Sequence, residues 1–264
     1  MATVRACSFN VRYDTPKDEY GWDTRRESVL ETLQEIEADL LGIQEALPHQ
    51  YEELRGGLEG YDWYGVGRRD GAIEGEFVPV AWRADRFEAL ETGAFWLSET
   101  SEQPSIGWNA TLPRVTTWAS LRDRETDTRL WVLSTHFSHQ GDNAQLESAR
   151  LLRRRIEDRL SSGDSDAVVV LGDFNCTPNS SPYRVLTEGP LEDARSAAET
   201  VTGPAGTFHG FSGEPSDRID YVFVAGLSVQ QYRTVDSSDA VPRSDHLPVF
   251  ADLEVCCDAE TSGK

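Results

Sequence analysis

The feature that most constrains the fold is an uninterrupted apolar run, Ala167–Leu171, that ends directly in Gly172-Asp173-Phe174-Asn175. A short apolar run bounded by turn-forming residues is typical of a strand that is buried on both faces at the centre of a sheet. We therefore predict a central strand over Ala167–Leu171 within an α/β domain. Asp173 and Asn175 would then lie just beyond its end.

The remaining segments alternate between helical and strand patterns and contain no repeat or clear linker. Apolar stripes at helical spacing predict helices over Arg25–Glu37, Pro48–Leu58, Asn143–Leu160 and around Tyr183–Leu186. Shorter apolar segments predict strands over Val4–Arg12, Leu40–Ile43, Trp63–Val66, Phe77–Trp82, Val115–Leu121, Leu130–Ser134, Ile219–Val224 and Val249–Val255. We predict one domain over residues 1–256 and an acidic tail over residues 257–264.

The charge balance is strongly acidic. The 264 residues include 25 Lys plus Arg against 46 Asp plus Glu, a formal net charge of −21. Only Lys17 and Lys264 are lysines. This balance argues against nucleic-acid binding through a broad basic face, although it leaves room for a local site. Few lysines beside many short carboxylates favour a halophilic protein, since concentrated salt screens the repulsion between like charges.

The sequence favours a soluble cytoplasmic protein, which we expect to be a monomer with no membrane partner. No apolar run reaches the roughly 18–20 residues that span a bilayer, and the first residues resemble a strand and lack the apolar stretch of a signal peptide. The cysteines, Cys7, Cys176, Cys256 and Cys257, form no Cys-x-x-Cys pair. Reduced thiols are therefore favoured over a structural disulfide.

Polar residues follow or precede several of the predicted strands. Each one alone has an ordinary explanation as a turn former or cap. Together, the carboxylates are the ligands that Mg²⁺ prefers, an Asp paired with a His provides an oriented acid or base, and an Asn can hold a phosphoryl oxygen. The set comprises Asn10, Glu45, His136, Asp173, Asn175, Asp220, Asp245 and His246.

At these residues the chain resembles the endonuclease/exonuclease/phosphatase superfamily, the metal-dependent phosphoesterases that include deoxyribonuclease I, exonuclease III and inositol polyphosphate 5-phosphatases. The resemblance implies a four-layered α/β sandwich, in which two packed mixed β-sheets are flanked by helices and the active site lies at one edge of the sheets. Seven blocks in the family's order carry it: Ser8-Phe9-Asn10, Ile43-Gln44-Glu45, Pro113-Arg114-Val115, Ser134-Thr135-His136, Leu171–Asn175, Arg218–Tyr221 and Ser244–Val249.

The resemblance also implies a role for each of these residues. Glu45 would be the principal ligand of Mg²⁺, for which Mn²⁺ could substitute, with Asn10 beside it and Asp245 near the metal region. Asp173 and Asn175 would position the attacking water and the phosphate. His246 would face the scissile phosphate, oriented by Asp220. Whether the aspartate or the histidine takes the proton from water stays open.

Two further positions point to the deoxyribonuclease I and sphingomyelinase branches. His136 resembles their second active-site histidine, and Glu76 lies where they have a carboxylate that supports it. Arg114 resembles an arginine that contacts phosphate or serves the structure. A plain salt bridge remains an alternative for Glu76 and Arg114. Gly93–Ser98 and Gly206–Phe211 resemble a less characterised bacterial and archaeal subgroup.

The predicted function is hydrolysis of phosphodiester bonds by a Mg²⁺-dependent nuclease that acts on DNA or RNA. The alternative is a phosphatase or phosphodiesterase for a small sugar, inositol or nucleotide phosphate, which needs no long basic groove and suits the charge. Retention of every expected polar residue speaks against an inactive binding module. A wide positive groove would favour a polymer, and a closed pocket would favour a small ester.

Overall fold

The computed structural model describes residues 2–236 and 241–255, and it forms two mixed β-sheets packed face to face with helices outside. The strands are β1 Ala2–Asn10, β2 Leu40–Gln44, β3 Tyr61–Tyr64, β4 Val80–Arg83, β5 Phe87–Trp96, β6 Val115–Asp123, β7 Arg129–His136, β8 Ala167–Asp173, β9 Glu192–Asp193, β10 Thr200–Thr202, β11 Asp220–Ala225, β12 Ser228–Thr234 and β13 Val249–Val255. The helices are α1 Trp22–Ile36, α2 Pro48–Gly57, α3 Asp142–Ser161, α4 Ser181–Thr187 and α5 Ala194–Ala197.

The first sheet has the strand order β10-β12-β13-β1-β2-β4-β3, and the second has the order β5-β6-β7-β8-β11-β9. Strand β8 shows why the layers form. Val169 and Leu171 belong to the core between the sheets, whereas Val168 and Val170 pack with Leu152 of α3 on the outer side. Because successive side chains point to opposite faces, a strand covered on both sides must be apolar throughout. The predicted central strand and the α/β sandwich are confirmed.

Two parallel strand pairs bring polar residues to one edge of the molecule. Strands β1 and β2 run parallel, with Asn10 opposite Gln44, and β7 and β8 run parallel, with His136 opposite Asp173. Strand β11 runs antiparallel to β8 and begins there, with Asp220 opposite Asp173. The carboxyl ends of both parallel pairs therefore lie at the same edge as the start of β11.

The sheets approach each other closely near this edge, at Gly42 of β2. A Cβ atom added to Gly42 would lie 2.5 Å from Cβ of Leu171 in β8. This distance is shorter than any ordinary contact between side chains, so only glycine fits there without moving a strand.

Some predicted boundaries were wrong. The strand predicted over Phe77–Trp82 is β4, Val80–Arg83, and Phe77 forms only isolated bridges to Ala46 and Gly67. Pro79 explains the later start, because proline has no N–H to donate within a ladder. The strand predicted over Trp63–Val66 is Tyr61–Tyr64.

The predictions for the cysteines and for the C-terminal tail can be compared with the described residues only in part. Cys7 and Cys176 are buried free thiols, whereas Cys256 and Cys257 lie outside the described residues. The predicted tail, residues 257–264, also lies outside them. Within residues 2–236 and 241–255, no helix has the length and apolarity that a bilayer crossing requires.

Candidate active site

The edge where the parallel strands end gathers the predicted site residues from both sheets. Asn10 ends β1, and Glu45 follows β2 in a left-handed conformation with φ 64°. His136 and Asp173 end β7 and β8 of the second sheet. The loop before β13 adds Asp245 and His246, and both belong to the pocket lining.

Asn10 links the two sheets within the site. Its Nδ2 donates to Oδ2 of Asp173 over 3.0 Å and to Oε1 of Glu45 over 3.2 Å. The Oδ1 atom accepts from the backbone N–H of Arg12 over 3.0 Å. Because Asn10 is fully buried, this network fixes the separation between the carboxylates of the two sheets.

Asp220 holds the ring of His246 in place. Nδ1 of His246 lies 2.9 Å from Oδ2 of Asp220, which also accepts from the Thr207 hydroxyl over 2.6 Å. Nε2 therefore faces the site and lies 3.8 Å from Oδ2 of Asp173. Burial opposes the charge on His246, but the carboxylates of Asp220, Asp173 and Asp245 outweigh it and raise the pKa of His246 to about 10.

Asp173 is a buried carboxyl at the centre of the site. Burial, followed by the nearby charge of Asp220, raises the pKa of Asp173 to about 7. Oδ1 of Asp173 accepts from the backbone N–H of Asn175 over 2.9 Å. Nδ2 of Asn175 donates to the carbonyl of Phe137 over 3.1 Å, which fixes the amide beside the pocket.

His136 lies on the other side of Asp173. Its Nε2 is 3.5 Å from Oδ2 of Asp173 and 4.0 Å from Oε1 of Glu45. Burial and then the charge of Arg114 hold the pKa of His136 well below its usual range. Nδ1 of His136 is buried and finds no hydrogen-bond partner among the described residues.

The predicted support of His136 by Glu76 is not what the contacts show. Oε2 of Glu76 accepts from Nη1 of Arg68 over 2.7 Å, so the plain salt bridge is the observed arrangement. Burial, partly offset by Arg68, raises the pKa of Glu76. Glu76 nevertheless lines the same pocket, and a catalytic role for it stays a prediction.

The acidic part of the pocket suits a divalent cation. One ligand atom each of Glu45, His136 and Asp173 lies within 4.8 Å of the other two. Nη1 of Arg12 lies 3.9 Å from Oε2 of Glu45 and 3.7 Å from Oδ2 of Asp245. A guanidinium between these carboxylates shows that they converge where positive charge is favoured, and oxygen donors are what Mg²⁺ requires. The residues present therefore fit the metal that the family implies.

Arginines also line the pocket, beside its carboxylates. Arg114 is 5% exposed, and its Nη2 donates to Nδ1 of His139 over 3.0 Å. Nε and Nη1 of Arg114 have no hydrogen-bond partner among the described residues. Burial and then the charge of Arg68 lower the pKa of Arg114. The whole pocket has a volume of about 380 Å³, and the aromatic rings of Tyr13 and Phe208 contribute to its lining.

Sequence reasoning misses two residues of this site. The hydroxyl of Thr207 donates to Asp220. Thr207 belongs to the segment Gly206–Phe211, and the sequence pattern of that segment assigns Thr207 no role. His139 follows His136 at a spacing of three residues, and this repeat just past a strand is the available signal.

Arg25 stabilises the loops around the site. It is fully buried and donates to the carbonyls of Val11, Arg12, Tyr20 and Arg243. It therefore ties the loop after β1 to the loop that carries Asp245. Trp22 and Trp96 are also buried, so neither offers an exposed surface for stacking.

Comparison with known proteins agrees with this architecture. A family model described as the Endonuclease/Exonuclease/phosphatase family matches residues 7–246. The solved endonuclease/exonuclease/phosphatase from Bacteroides vulgatus is 36% identical, covers 97% of this chain and 100% of its own, and superposes with a TM-score of 0.91. A mannosyl-6-phosphatase from Bacteroides thetaiotaomicron is 32% identical over 95% of this chain and 99% of its own, with a TM-score of 0.90.

Curated relatives are more distant. The carbon catabolite repressor protein 4 homolog 6 of Arabidopsis thaliana is 22% identical over 74% of this chain but only 27% of its own length. An uncharacterised protein of Acanthamoeba polyphaga mimivirus is 23% identical over 59% of this chain and 60% of its own length. The chain thus spans less than two thirds of these relatives. The family model covers nearly all of this chain, however, and the chain belongs to the endonuclease/exonuclease/phosphatase family of phosphoester hydrolases.

Proposed function

We propose that the protein is a divalent-cation-dependent phosphatase that hydrolyses a small phosphate monoester, with a sugar phosphate as the best candidate. The observation that carries the proposal is the pocket of about 380 Å³, lined by Arg12, Arg68 and Arg114 beside the carboxylates of the site. Small-molecule sites measure about 300–1,000 Å³. A pocket at the low end of this range accommodates a small ester.

The charges in the pocket suit a monoester. A phosphate monoester is a dianion with three terminal oxygens, whereas a diester is a monoanion with two. Nε and Nη1 of Arg114 are buried donors that lack a partner among the described residues. Burying donors without partners costs free energy, so an anion that accepts from them recovers that cost.

The whole-chain charge supports the same choice. A net charge of −21 with two lysines offers little long-range attraction for a polyanion. A dianion that fits a single pocket needs only the local arginines. The 32% identity to a mannosyl-6-phosphatase, over nearly the full length of both chains, also favours a sugar phosphate.

In this mechanism Asp173 accepts the proton of the attacking water as the water oxygen bonds to phosphorus. The bond between phosphorus and the alcohol oxygen breaks, and the departing alkoxide takes a proton from solvent. In the metal-free site burial raises the pKa of Asp173 above the ordinary aspartate value, and a carboxylate with a raised proton affinity suits a general base. His246, charged and held by Asp220, donates from Nε2 to a phosphoryl oxygen as charge grows in the transition state. The Oδ1 atom of Asn175 is free to orient the water, because Nδ2 is held by Phe137.

Glu45, Asn10 and Asp245 are the residues that would hold the metal. When bound, Mg²⁺ or Mn²⁺ supplies Lewis-acid neutralisation of the phosphoryl charge. Glu45 and Asp245 would present carboxylate oxygens to the metal. Asn10 directs Nδ2 towards Glu45 and Asp173 and has Oδ1 bonded to the backbone N–H of Arg12, so its amide would have to turn to act as a ligand. Arg12, which faces two of these carboxylates, balances their charge.

The nuclease remains the second candidate function, because one curated relative is a probable RNA exonuclease of Schizosaccharomyces pombe. That protein is 25% identical over 64% of this chain. A nuclease would have to bind the terminal nucleotide in the same pocket, and the rest of the strand would face an acidic surface.

A substrate panel separates the two candidates. Phosphate release from hexose 6-phosphates and cleavage of single-stranded DNA, RNA and plasmid would be measured with Mg²⁺ or Mn²⁺, at low and at molar salt, with EDTA as the control. The proposal expects kcat/KM for a hexose phosphate to exceed that for any nucleic acid. Faster cleavage of an oligonucleotide than of every monoester would instead establish the nuclease.

A further inference from the structure

The pocket contains a neutral hydrogen-bond donor whose tautomer is fixed by its neighbour. Nη2 of Arg114 lies 3.0 Å from Nδ1 of His139. A guanidinium has only donors, so Nδ1 must accept and Nε2 must carry the proton. Burial, followed by the charge of Arg114, lowers the pKa of His139, which keeps the ring neutral at neutral pH.

The position of His139 places this donor beyond the phosphate. Both His139 and Arg114 line the pocket, and His139 lies one hydrogen bond outward from the guanidinium that has free donors. Nε2 of His139 finds no acceptor among the residues that the structure describes. His139 is exposed, so a bound molecule can reach it.

The depth of the two residues indicates which part of the substrate lies there. Arg114 is 5% exposed and lines the pocket with Asp173 and His246, whereas His139 is exposed at the rim of the same pocket. A phosphoryl group that accepts from Arg114 would leave the alcohol part of the ester towards the rim, against His139.

We propose that His139 is a specificity-determining residue that donates from Nε2 to a hydroxyl oxygen of a polyhydroxylated leaving group, held in the required tautomer by Arg114. The inference rests on the proposed phosphatase function and adds the chemical class of the alcohol. No proton is transferred by His139 in this role. A neutral N–H donor suits the oxygen of a neutral hydroxyl group. A second anionic group on the substrate would bind more strongly to a cationic side chain than to a neutral histidine.

Two esters with similar leaving groups test the proposal. A hexose 6-phosphate and n-butyl phosphate are both esters of primary alcohols, but only the first carries further hydroxyls. For His139→Ala we expect the ratio of their kcat/KM values, hexose over butyl, to fall by about tenfold, as the loss of one hydrogen bond predicts. His139→Gln retains a neutral N–H donor and should recover part of the ratio.

The control variant is His49→Gln, because His49 lies on α2 outside the pocket and pairs with Asp14. It should leave the ratio at the wild-type value. Equal losses for both esters in His139→Ala, or an unchanged ratio, would overturn the assignment of His139 while the phosphatase activity stands. If the wild-type protein hydrolyses neither ester, the proposed function fails and the role of His139 falls with it.

Discussion

Buried ionisable side chains determine where protons lie in the metal-free site. Burial and Asp220 raise the pKa of Asp173 to about 7, and three carboxylates raise the pKa of His246 to about 10 despite its burial. Both groups therefore bind protons more tightly in the folded chain than in the unfolded chain. The metal-free site therefore retains these protons to a higher pH than the unfolded chain does.

The stability of the metal-free protein should consequently fall as the pH rises. For Asp173 the favourable contribution is lost between the ordinary aspartate pKa of 3.8 and about 7, and for His246 between the ordinary histidine pKa of 6.5 and about 10. In EDTA, we expect the thermal midpoint to decrease from neutral pH to about pH 10. His246→Gln, which cannot be charged, should show a weaker decrease over that interval.

Thermal denaturation scans of both proteins across this pH interval provide the measurement. His49→Gln is a matched control, since it removes a histidine that is half-exposed and outside the pocket. A rise in the wild-type midpoint over the same interval, or identical slopes in wild type and His246→Gln, would contradict the assigned charge state.

The site residues that lie at the end of a strand or just before one were predictable from the sequence. The sequence identified Asn10, Asp173 and His246 because each lies in a motif block. In the structure Nδ2 of Asn10 lies 3.0 Å from Oδ2 of Asp173 and 3.4 Å from Nε2 of His246, and those two atoms are 3.8 Å apart. The sequence could not identify the Arg68–Glu76 pair. Whether Glu76 pairs with Arg68 or with His136 depends on how the loops pack around the pocket. A local sequence pattern does not predict that packing.

At the level of elements, the sequence patterns failed to predict two strands, β5 and β12, that lack a regular alternation of buried and exposed residues. Strand β5, Phe87–Trp96, is a sheet edge with five consecutive exposed residues, so it has no apolar alternation. Strand β12, Ser228–Thr234, has a register shift between Val229 and Gln231, which breaks the period of two. Central strands such as β8 were found because burial on both faces leaves only apolar residues.

The close approach of β2 and β8 determines whether the two halves of the site meet. Gly42→Ala would place a methyl group 2.5 Å from Cβ of Leu171, and the sheets would have to move apart. We expect a loss of about 1–3 kcal/mol in the free energy of unfolding, as for other overpacked cores. We also expect a clear fall in kcat, because Glu45 and Asp173 belong to different sheets.

Urea denaturation and phosphatase assays of Gly42→Ala would measure both effects. Gly56→Ala is the control, since no atom lies within 4 Å of the added Cβ and the residue is in helix α2. There, alanine should leave activity unchanged and stability equal or higher. Equal behaviour of the two variants would show that sheet spacing does not control the site.

At the scale of the whole molecule, the acidic charge divides into two parts. Four of the carboxylates, Glu45, Asp173, Asp220 and Asp245, belong to the site network, where they face Asn10, Arg12 or His246. Most of the other carboxylates lie on the surface. A formal net charge of −21 on one chain of this size implies strong repulsion in dilute buffer.

The halophilic interpretation predicts a stabilising effect of salt. Raising KCl from about 0.1 M to about 2 M shortens the Debye length from roughly 10 Å to below 3 Å and screens the surface carboxylates. We expect the thermal midpoint and kcat/KM to rise over this range. The variant Glu31→Gln/Glu35→Gln removes two exposed like charges on α1 and should depend less on salt. A fall in the midpoint with salt would contradict this interpretation.

We propose that Asp173 and the carboxylates that would hold the metal act together in the hydrolysis of a small phosphate monoester. The most direct test of this proposal is inorganic phosphate release from a hexose 6-phosphate by wild type, Glu45→Gln and Asp173→Asn, each with Mg²⁺ and with EDTA. We expect release by wild type with Mg²⁺ only, and a loss of about 10² or more in kcat for both variants while their far-UV circular dichroism stays native. Full activity in EDTA, or in Asp173→Asn, would contradict the account.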